Sequence, residues 1–458
     1  MWRILLVVIF YIGVTAEDYN GTEKQVYFPE DNVFQSFTKF KNDIKHFFHI
    51  NVNKIERTRA RIKKAFYKFI KELVKEDYDE TNNCHNSSKL VEVVKPTGET
   101  KASQFEELVS ADGYSAESHK VVTSDGYALT LHRIISASNA STDKNGIILL
   151  HHGLLGSSDD WVLLGPRKSL PYLLINAGYD VWLANARGNK YSKSHVSKTI
   201  SNDEFWNFSW HEIGLFDLAA AIDFIRDQNA KDVQLNFIGH SLGATVLLVL
   251  LSIFPQYNHV LKNAVLLAPL AFMYEVKGPL RTVAEFYKKY NVETINFLGR
   301  HEFTPLQKFS GTLIERFCEG DKTLCQNPLL LLTNGAKELT NKKLALKIMN
   351  HTPGGGSMKT ILHYVQLIKS GEFQMFDLGK NKNYKKYGLN SPPSYRLNDI
   401  TLPVIIFSST DDWLSTPADI TSLISNLPNS VKHHVVQSND YSHTDFIWAE
   451  DAHILLYE

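Results

Sequence analysis

Two rhythms of apolar and polar positions run along this chain, and they change over near residue 100. Between Val33 and Val74, Phe34, Phe37, Phe40, Ile44, Phe47 and Phe48 recur at three- and four-residue spacing, which predicts amphipathic helix. Ile55, Ile62, Phe66, Phe69, Ile70 and Leu73 continue as one apolar stripe, and nine Lys/Arg stand against two Glu between Lys54 and Lys75. A basic helix of this kind suits a packed pro-segment, a helix lying on anionic lipid, or a solvated surface helix. The polar stretch from Asp77 to Ser103, with Pro96 and Gly98, reads as a linker out of residues 17–100.

After it, short strongly apolar runs alternate with helical patterns. His119 to Ile135 predicts two strands around the turn Ser124-Asp125-Gly126. Gly146 to His151, Tyr179 to Ala184, Val233 to Ile238, Asn263 to Ala268, Leu402 to Ser408 and Val431 to Val436 predict further strands, with helices at Asp217 to Arg226 and Ala244 to Phe254. Runs apolar on both faces and separated by helices predict an α/β fold over residues 101–458, with a mainly parallel sheet covered on both sides. The rhythm breaks between about Phe272 and Arg396, which predicts a mostly helical cap inserted between two late strands.

Composition narrows the picture. An apolar share of 43% over 458 residues is enough for an ordinary core and excludes a disordered or disulfide-held chain. A formal net charge of zero argues against nucleic acid as a partner. Arg3, the apolar run Ile4 to Val14 and the small residues Val14-Thr15-Ala16 predict a signal peptide over residues 1–16, too short to span a membrane. Entry into the secretory pathway makes the sequons at Asn20, Asn86, Asn139, Asn207 and Asn350 glycosylation candidates. It also permits a disulfide between Cys318 and Cys325, leaving Cys84 over; no second cysteine pair is present to build a zinc site.

Gly239-His240-Ser241-Leu242-Gly243 sits between an apolar strand and an apolar helix, the setting in which a serine stands on a tight turn with its hydroxyl exposed. A serine hydroxyl is a weak nucleophile, so it needs a base and an orienting acid, here expected in the order Ser, Asp, His. Asp412 and His443 follow the two last predicted strands and are the candidates, with Asp411, His434 and His453 as their rivals. A developing oxyanion needs preorganised donors. The backbone N–H groups of Leu154, in His152-Gly153-Leu154-Leu155-Gly156, and of Leu242 are placed to supply them. His152 and His240 read as packing or hydrogen-bonding residues.

These blocks, together with Asn185-Ala186-Arg187-Gly188-Asn189, Glu204-Phe205-Trp206-Asn207-Phe208-Ser209, Asp412-Trp413-Leu414 and His443-Thr444-Asp445-Phe446-Ile447-Trp448, resemble the gastric and lysosomal acid lipase family, particularly its insect lipase 3-like members. The resemblance runs from about Gln104 to Leu455. It implies an α/β-hydrolase fold, a triad of Ser241, Asp412 and His443, oxyanion donors at Leu154 and Leu242, a mobile lid within 272–396, and no metal or organic cofactor. It further implies a secreted or lysosomal hydrolase of neutral-lipid esters, triacylglycerol before cholesteryl ester, working at a lipid–water interface with peripheral contact to a membrane or lipid droplet. The apolar segments Ala268 to Tyr274 and Asn327 to Leu332 would give the cap an oily inner face or its own core. Two departures stand out: Leu242 replaces the Gln that many vertebrate members carry after the nucleophile, and the basic extension is longer than theirs. A lipid carrier without turnover, or a thioesterase or peptidase, could use the same scaffold.

An acidic lumen sets a problem for any imidazole base, because an ordinary one is only about 3% neutral at pH 5. Either the imidazole is desolvated or the working pH is milder. Acidification also charges the 18 histidines of a chain that is otherwise neutral. Binding to anionic liposomes is therefore expected to be stronger at pH 5 than at pH 7.5. Equal partitioning in co-sedimentation at the two pH values would remove this expectation.

Overall fold

The computed structural model describes residues 103–135, 145–229, 233–287, 301–303, 333, 342–428, 431–438 and 440–457. The signal peptide (1–16), the basic extension (17–100), Asn20, Asn86, Asn139, Cys84, Cys318, Cys325 and the run Asn327 to Leu332 lie outside the described residues.

The chain enters through helix α1, Gln104–Ala111, whose first turn is closed by a reciprocal Ser103–Glu106 capping box. Strands β1 (Ser115–Val122) and β2 (Tyr127–Ile135) form the expected antiparallel hairpin. Then come β3 (Ile147–His151), helix α2 (Leu170–Asn176), β4 (Asp180–Ala184), helix α3 (Ala219–Asp227) and β5 (Leu235–His240). Helix α4 (Leu242–Ile253) and β6 (Leu261–Leu267) follow. After a long excursion, β7 (Val404–Ser408), helix α5 (Pro417–Asn426) and β8 (Val431–Val435) complete the sheet. Its order is β1-β2-β4-β3-β5-β6-β7-β8, with the short strand Ser194–His195 beside β2. From β4 to β8 every pairing is parallel, while β2 runs against its neighbours.

Side-chain alternation splits the interior into two layers. Ile147, Leu149, Trp182 and Phe237 pack in one cluster, and Ile148, Leu150, Val181 and Ile238 in another, because successive strand residues point to opposite faces. Helix α4 is apolar on all sides and buried from Leu242 to Ser252, as a helix enclosed by the core must be. The expectation of strands covered on both faces holds for β3 and β4 but not for β8, whose residues are half-buried or exposed because it forms the sheet edge.

Between β6 and β7, the described residues carry helices at Gly278–Tyr287, Lys342–His351, Met358–Ser370 and Lys380–Tyr387, and a two-stranded pairing of Glu302–Phe303 with Gly356–Ser357. Part of this excursion is built into the main core. Ile361, Leu362, Tyr364, Val365, Leu367 and Phe373 belong to the same apolar cluster as the sheet. No helix among the described residues is long and apolar enough to cross a membrane.

The Asn185–Asn189 block has a structural explanation. Arg187 is 1% exposed and gives both terminal nitrogens to Asp125 in the β1–β2 turn, at 2.6 and 2.8 Å. Its Nε and backbone N–H donate to Asp217 at 2.7 and 2.9 Å, and its guanidinium lies 3.9 Å from the Tyr127 ring centroid. The helix expected over Asp217 to Arg226 starts instead as a π-helical turn, Ile213–Leu218, which presents the Asp217 carboxylate to Arg187. Two carboxylates hold this buried guanidinium charged. Arg187→Ala would strand Asp217 without its partner and is expected to cost about 3–5 kcal/mol in urea unfolding at pH 7. A loss below roughly 1 kcal/mol would show that the pair does not hold the hairpin to the helix.

Candidate active site

Register builds the site. His151 of β3 falls level with Gly239 of β5, and the next β5 residue, His240, with Leu267 of β6 and through it Phe407 of β7, so the loops leaving these parallel strands open on one edge of the sheet. At the end of β5, Ser241 adopts φ 54° and ψ −112°, a conformation that costs a non-glycine residue about 1–3 kcal/mol. Its backbone is gripped on both sides: the N–H donates to Leu267 O at 2.9 Å, and its carbonyl accepts from Ala244 and Thr245 as α4 begins. The flanking glycines allow the turn to close. A Cβ on Gly239 would lie 2.6 Å from the Gly243 carbonyl carbon, and one on Gly243 would lie 2.3 Å from His151 O.

The structure brings Ser241, His443 and Asp412 together. His443 Nε2 lies 2.7 Å from Ser241 Oγ, and His443 Nδ1 lies 2.8 Å from Asp412 Oδ2. All three are buried, Asp412 completely. The other carboxylate oxygen, Asp412 Oδ1, accepts backbone N–H groups of Leu414 and Ser415 at 2.8 and 2.9 Å, which fixes the carboxylate plane toward the imidazole. The rivals point elsewhere. Asp411 Oδ2 accepts from the Asp440 N–H, His434 is exposed on β8, and His453 lies in the terminal π-helical turn.

Gly153 abuts Ser241, for a Cβ there would sit 3.4 Å from Ser241 Cβ. The turn from Gly153 to Gly156 is closed by Gly156 N–H to Gly153 O at 3.1 Å and carries Leu155 at φ 58°, a second strained position. Among the described residues, the N–H groups of Leu154 and Leu242 donate to no protein acceptor, and Leu242 opens the positive end of α4.

His152 and His240 are locked in neutral, directional roles. His152 Nδ1 donates to Gly153 O while Nε2 accepts the Ala186 N–H, and His240 Nε2 donates to the backbone carbonyl of His443. Burial pushes both imidazoles down to about 3, and those of His132 and His151 to about 3 and 4, so these four stay neutral at pH 5 and acidification does not charge all 18 histidines as expected from the sequence.

An apolar pocket opens beside Ser241, lined by Leu154, Leu270, Met273, Leu280, Ile361 and Leu414, with Asp160 and Trp448 also in its wall. Thr245 Oγ1 donates to Leu270 O at 2.6 Å and is 3.0 Å from the Tyr364 hydroxyl, so the polar atoms at that end satisfy one another. Ile361, Tyr364 and Asp160 carry no sequence signal that marks them as site residues. They reach the pocket only through tertiary packing. Asn207 and Asn350 are both exposed, and Asn207 Oδ1 accepts from Lys359 Nζ. No group of three or more His, Cys, Asp or Glu among the described residues could hold a metal ion.

Comparison with known proteins agrees with this fold. A family profile described as alpha/beta hydrolase fold matches residues 146–450, and one described as a partial alpha/beta-hydrolase lipase region matches residues 105–165. Lipase 3 of Drosophila melanogaster is 38% identical over 366 residues, covering 79% of this chain and 92% of that protein. The gastric triacylglycerol lipase of Rattus norvegicus is 33% identical, covering 68% and 78%. The chain belongs to the gastric and lysosomal acid lipase family. The human family member named lysosomal acid lipase/cholesteryl ester hydrolase is also 33% identical, over 68% of this chain and 77% of its own length. Family membership makes the chain a carboxylic ester hydrolase with an α/β-hydrolase fold.

The tight approach of α4 to β3 gives a test of the turn. Gly243→Ala must push His151 O away and is expected to cost about 1–3 kcal/mol in thermal unfolding while disturbing the Ser241 turn. A variant as stable as the parent would mean that the close contact is not a constraint.

Proposed function

We propose that this lipase hydrolyses esters of neutral lipids through an acyl-enzyme on Ser241. The observation that carries the reading is the continuous line Ser241 Oγ, His443 and Asp412, with links of 2.7 and 2.8 Å, at a strained strand-to-helix turn. His443 Nε2 takes the hydroxyl proton as Oγ bonds to the ester carbonyl carbon. Asp412 stabilises the imidazolium through Nδ1. The carbonyl oxygen becomes an oxyanion between the N–H groups of Leu154 and Leu242, where losing one donor typically costs about 3 kcal/mol of transition-state stabilisation. Collapse of this intermediate passes the proton from His443 to the departing alcohol. Water then attacks the acyl-enzyme with His443 again as base, releasing the fatty acid and restoring Ser241.

Two facts support a water-insoluble substrate. The wall of the pocket beyond the Ser241–His443 corner is mainly aliphatic or aromatic. Relatives that cover most of this chain bear the names gastric triacylglycerol lipase and lysosomal acid lipase/cholesteryl ester hydrolase. Triacylglycerol is the first-choice substrate and cholesteryl ester the second, in a secreted or lysosomal setting at a lipid–water interface.

Hydrolysis of long-chain triacylglycerol, cholesteryl ester and a short soluble ester should be measured from pH 4 to 8 beside Ser241→Ala. The variant is expected to lose about 10⁴-fold or more in kcat with its circular dichroism unchanged. A fluorophosphonate probe should label the parent protein at Ser241. Turnover that survives the substitution would remove Ser241 from this role, and turnover confined to the short ester would remove the lipid substrate.

A further inference from the structure

Asp160 is a buried carboxyl in the pocket wall, 3% exposed, that the reaction above does not use. It touches three parts of the site at once. Its Oδ2 accepts the Ser157 N–H at 3.1 Å and presses on Gly156, where a Cβ would come within 2.3 Å of it. Its Oδ1 accepts the hydroxyl of Thr352, on the segment returning from the helix Lys342–His351. Its backbone carbonyl accepts Trp448 Nε1 at 3.2 Å, from the short helix that follows His443. Gly354 N–H donates to Leu155 O beside it, so the Gly153–Ser157 turn is held by its own chain, by the returning segment and by the histidine side of the site.

We propose that Asp160 is a positioning residue that holds the Leu154 donor turn in place, and that it does so as an uncharged carboxylic acid. This rests on the ester-hydrolase reading of Ser241, His443 and Leu154.

The surroundings leave its charge uncompensated. The neighbouring carboxylate, Asp159, takes the nearby donors: Lys190 Nζ and His351 Nδ1 both bind its Oδ2, and the Tyr191 hydroxyl binds its Oδ1. On the turn itself His152 is held neutral by burial, with Nε2 accepting the Ala186 N–H. His443, across the pocket, faces Asp412 and Ser241. Among the described residues no Lys or Arg pairs with Asp160. Burial pushes the Asp160 carboxyl up to about 7; the Thr352 and Ser157 hydrogen bonds and the Lys190 charge oppose the rise, and the Asp159 charge adds to it. Below that pH the neutral acid bonds to Thr352 and Ser157. Above it, a bare charge beside the donor turn draws water or neighbouring donors inward and displaces the turn.

The sign for stability follows from the same rise. In the unfolded chain the carboxyl ionises near pH 4, so the folded form holds the extra proton between about pH 4 and 7. Stability falls with rising pH through that window and reaches its full penalty above it. Asp160→Asn keeps the shape, its amide oxygen accepting the Ser157 N–H and its NH2 donating to Thr352 Oγ1 as a protonated Oδ1 would, but it never ionises.

The test uses purified wild type, Asp160→Asn and Thr352→Val, a soluble short-chain ester, and pH 5 to 9. Wild-type kcat/KM is expected to fall at least ~5-fold between pH 6.5 and 8.5, whereas Asp160→Asn falls less than ~2-fold and stays within ~3-fold of wild type at pH 5.5. Thr352→Val removes a bond that favours the ionised form, so its alkaline fall should move to higher pH rather than vanish. The melting temperature of Asp160→Asn should gain on wild type from pH 4.5 to 7 and hold its lead above that. An alkaline fall that is the same in wild type and Asp160→Asn, or an Asp160→Asn loss beyond ~10-fold at pH 5.5, overturns the proposal. A wild type that turns over no ester would instead defeat the ester-hydrolase reading. The melting arm then still decides the charge state of Asp160, and a constant gap across pH would overturn it.

Discussion

Parallel register is the constraint on which this molecule depends. Because β3, β5, β7 and β8 run parallel and end at the same edge of the sheet, the loops that carry Leu154, Ser241, Asp412 and His443 start along one line, and these residues gather without any long excursion of the chain. A slip of one residue in β5 would turn Phe237 out of its core layer and carry Ser241 away from Leu267 O. The core's demand for apolar alternation and the site's demand for a fixed backbone are therefore met by the same pairing.

Charge around this edge is handled in three ways. Arg187 is buried and kept charged by two carboxylates, a solution suited to tying a hairpin to a helix. His152 and His240 are buried and neutral, so that their ring nitrogens act as fixed donors or acceptors. Asp159 is buried and ionised, with Lys190 and His351 donating to it, while among the described residues no Lys or Arg pairs with its sequence neighbour Asp160. Two adjacent aspartates thus live in opposite electrostatic settings, set by which way each side chain leaves a short 3₁₀ turn.

Much of the fold is legible in the sequence. Strands β3 to β7 announce themselves because each is buried enough to need an apolar run, and Gly239 to Gly243 announces itself because only glycines tolerate that closeness of strand and helix. What stayed hidden depends on partners distant in sequence. Edge strand β8 carries Val431 and Val435 like an interior strand, yet among the described residues it has no neighbour on one side. The π-helical turn before α3 exists to bring Asp217 to Arg187, thirty residues away, which local periodicity cannot express. The Met358–Ser370 helix belongs half to the core and half to the pocket, and the pocket positions of Ile361 and Tyr364 come from that packing rather than from any motif.

The twisted backbone at Ser241 has one more implication. A glycine would take up a φ of 54° with no steric cost, so the most comfortable occupant of position 241 is a residue that has no hydroxyl to offer. Durability and reactivity compete for the same few atoms. Heat applied as the sole selective pressure would be expected to erode this residue, whereas substitutions elsewhere on the sheet could toughen the protein without touching its chemistry.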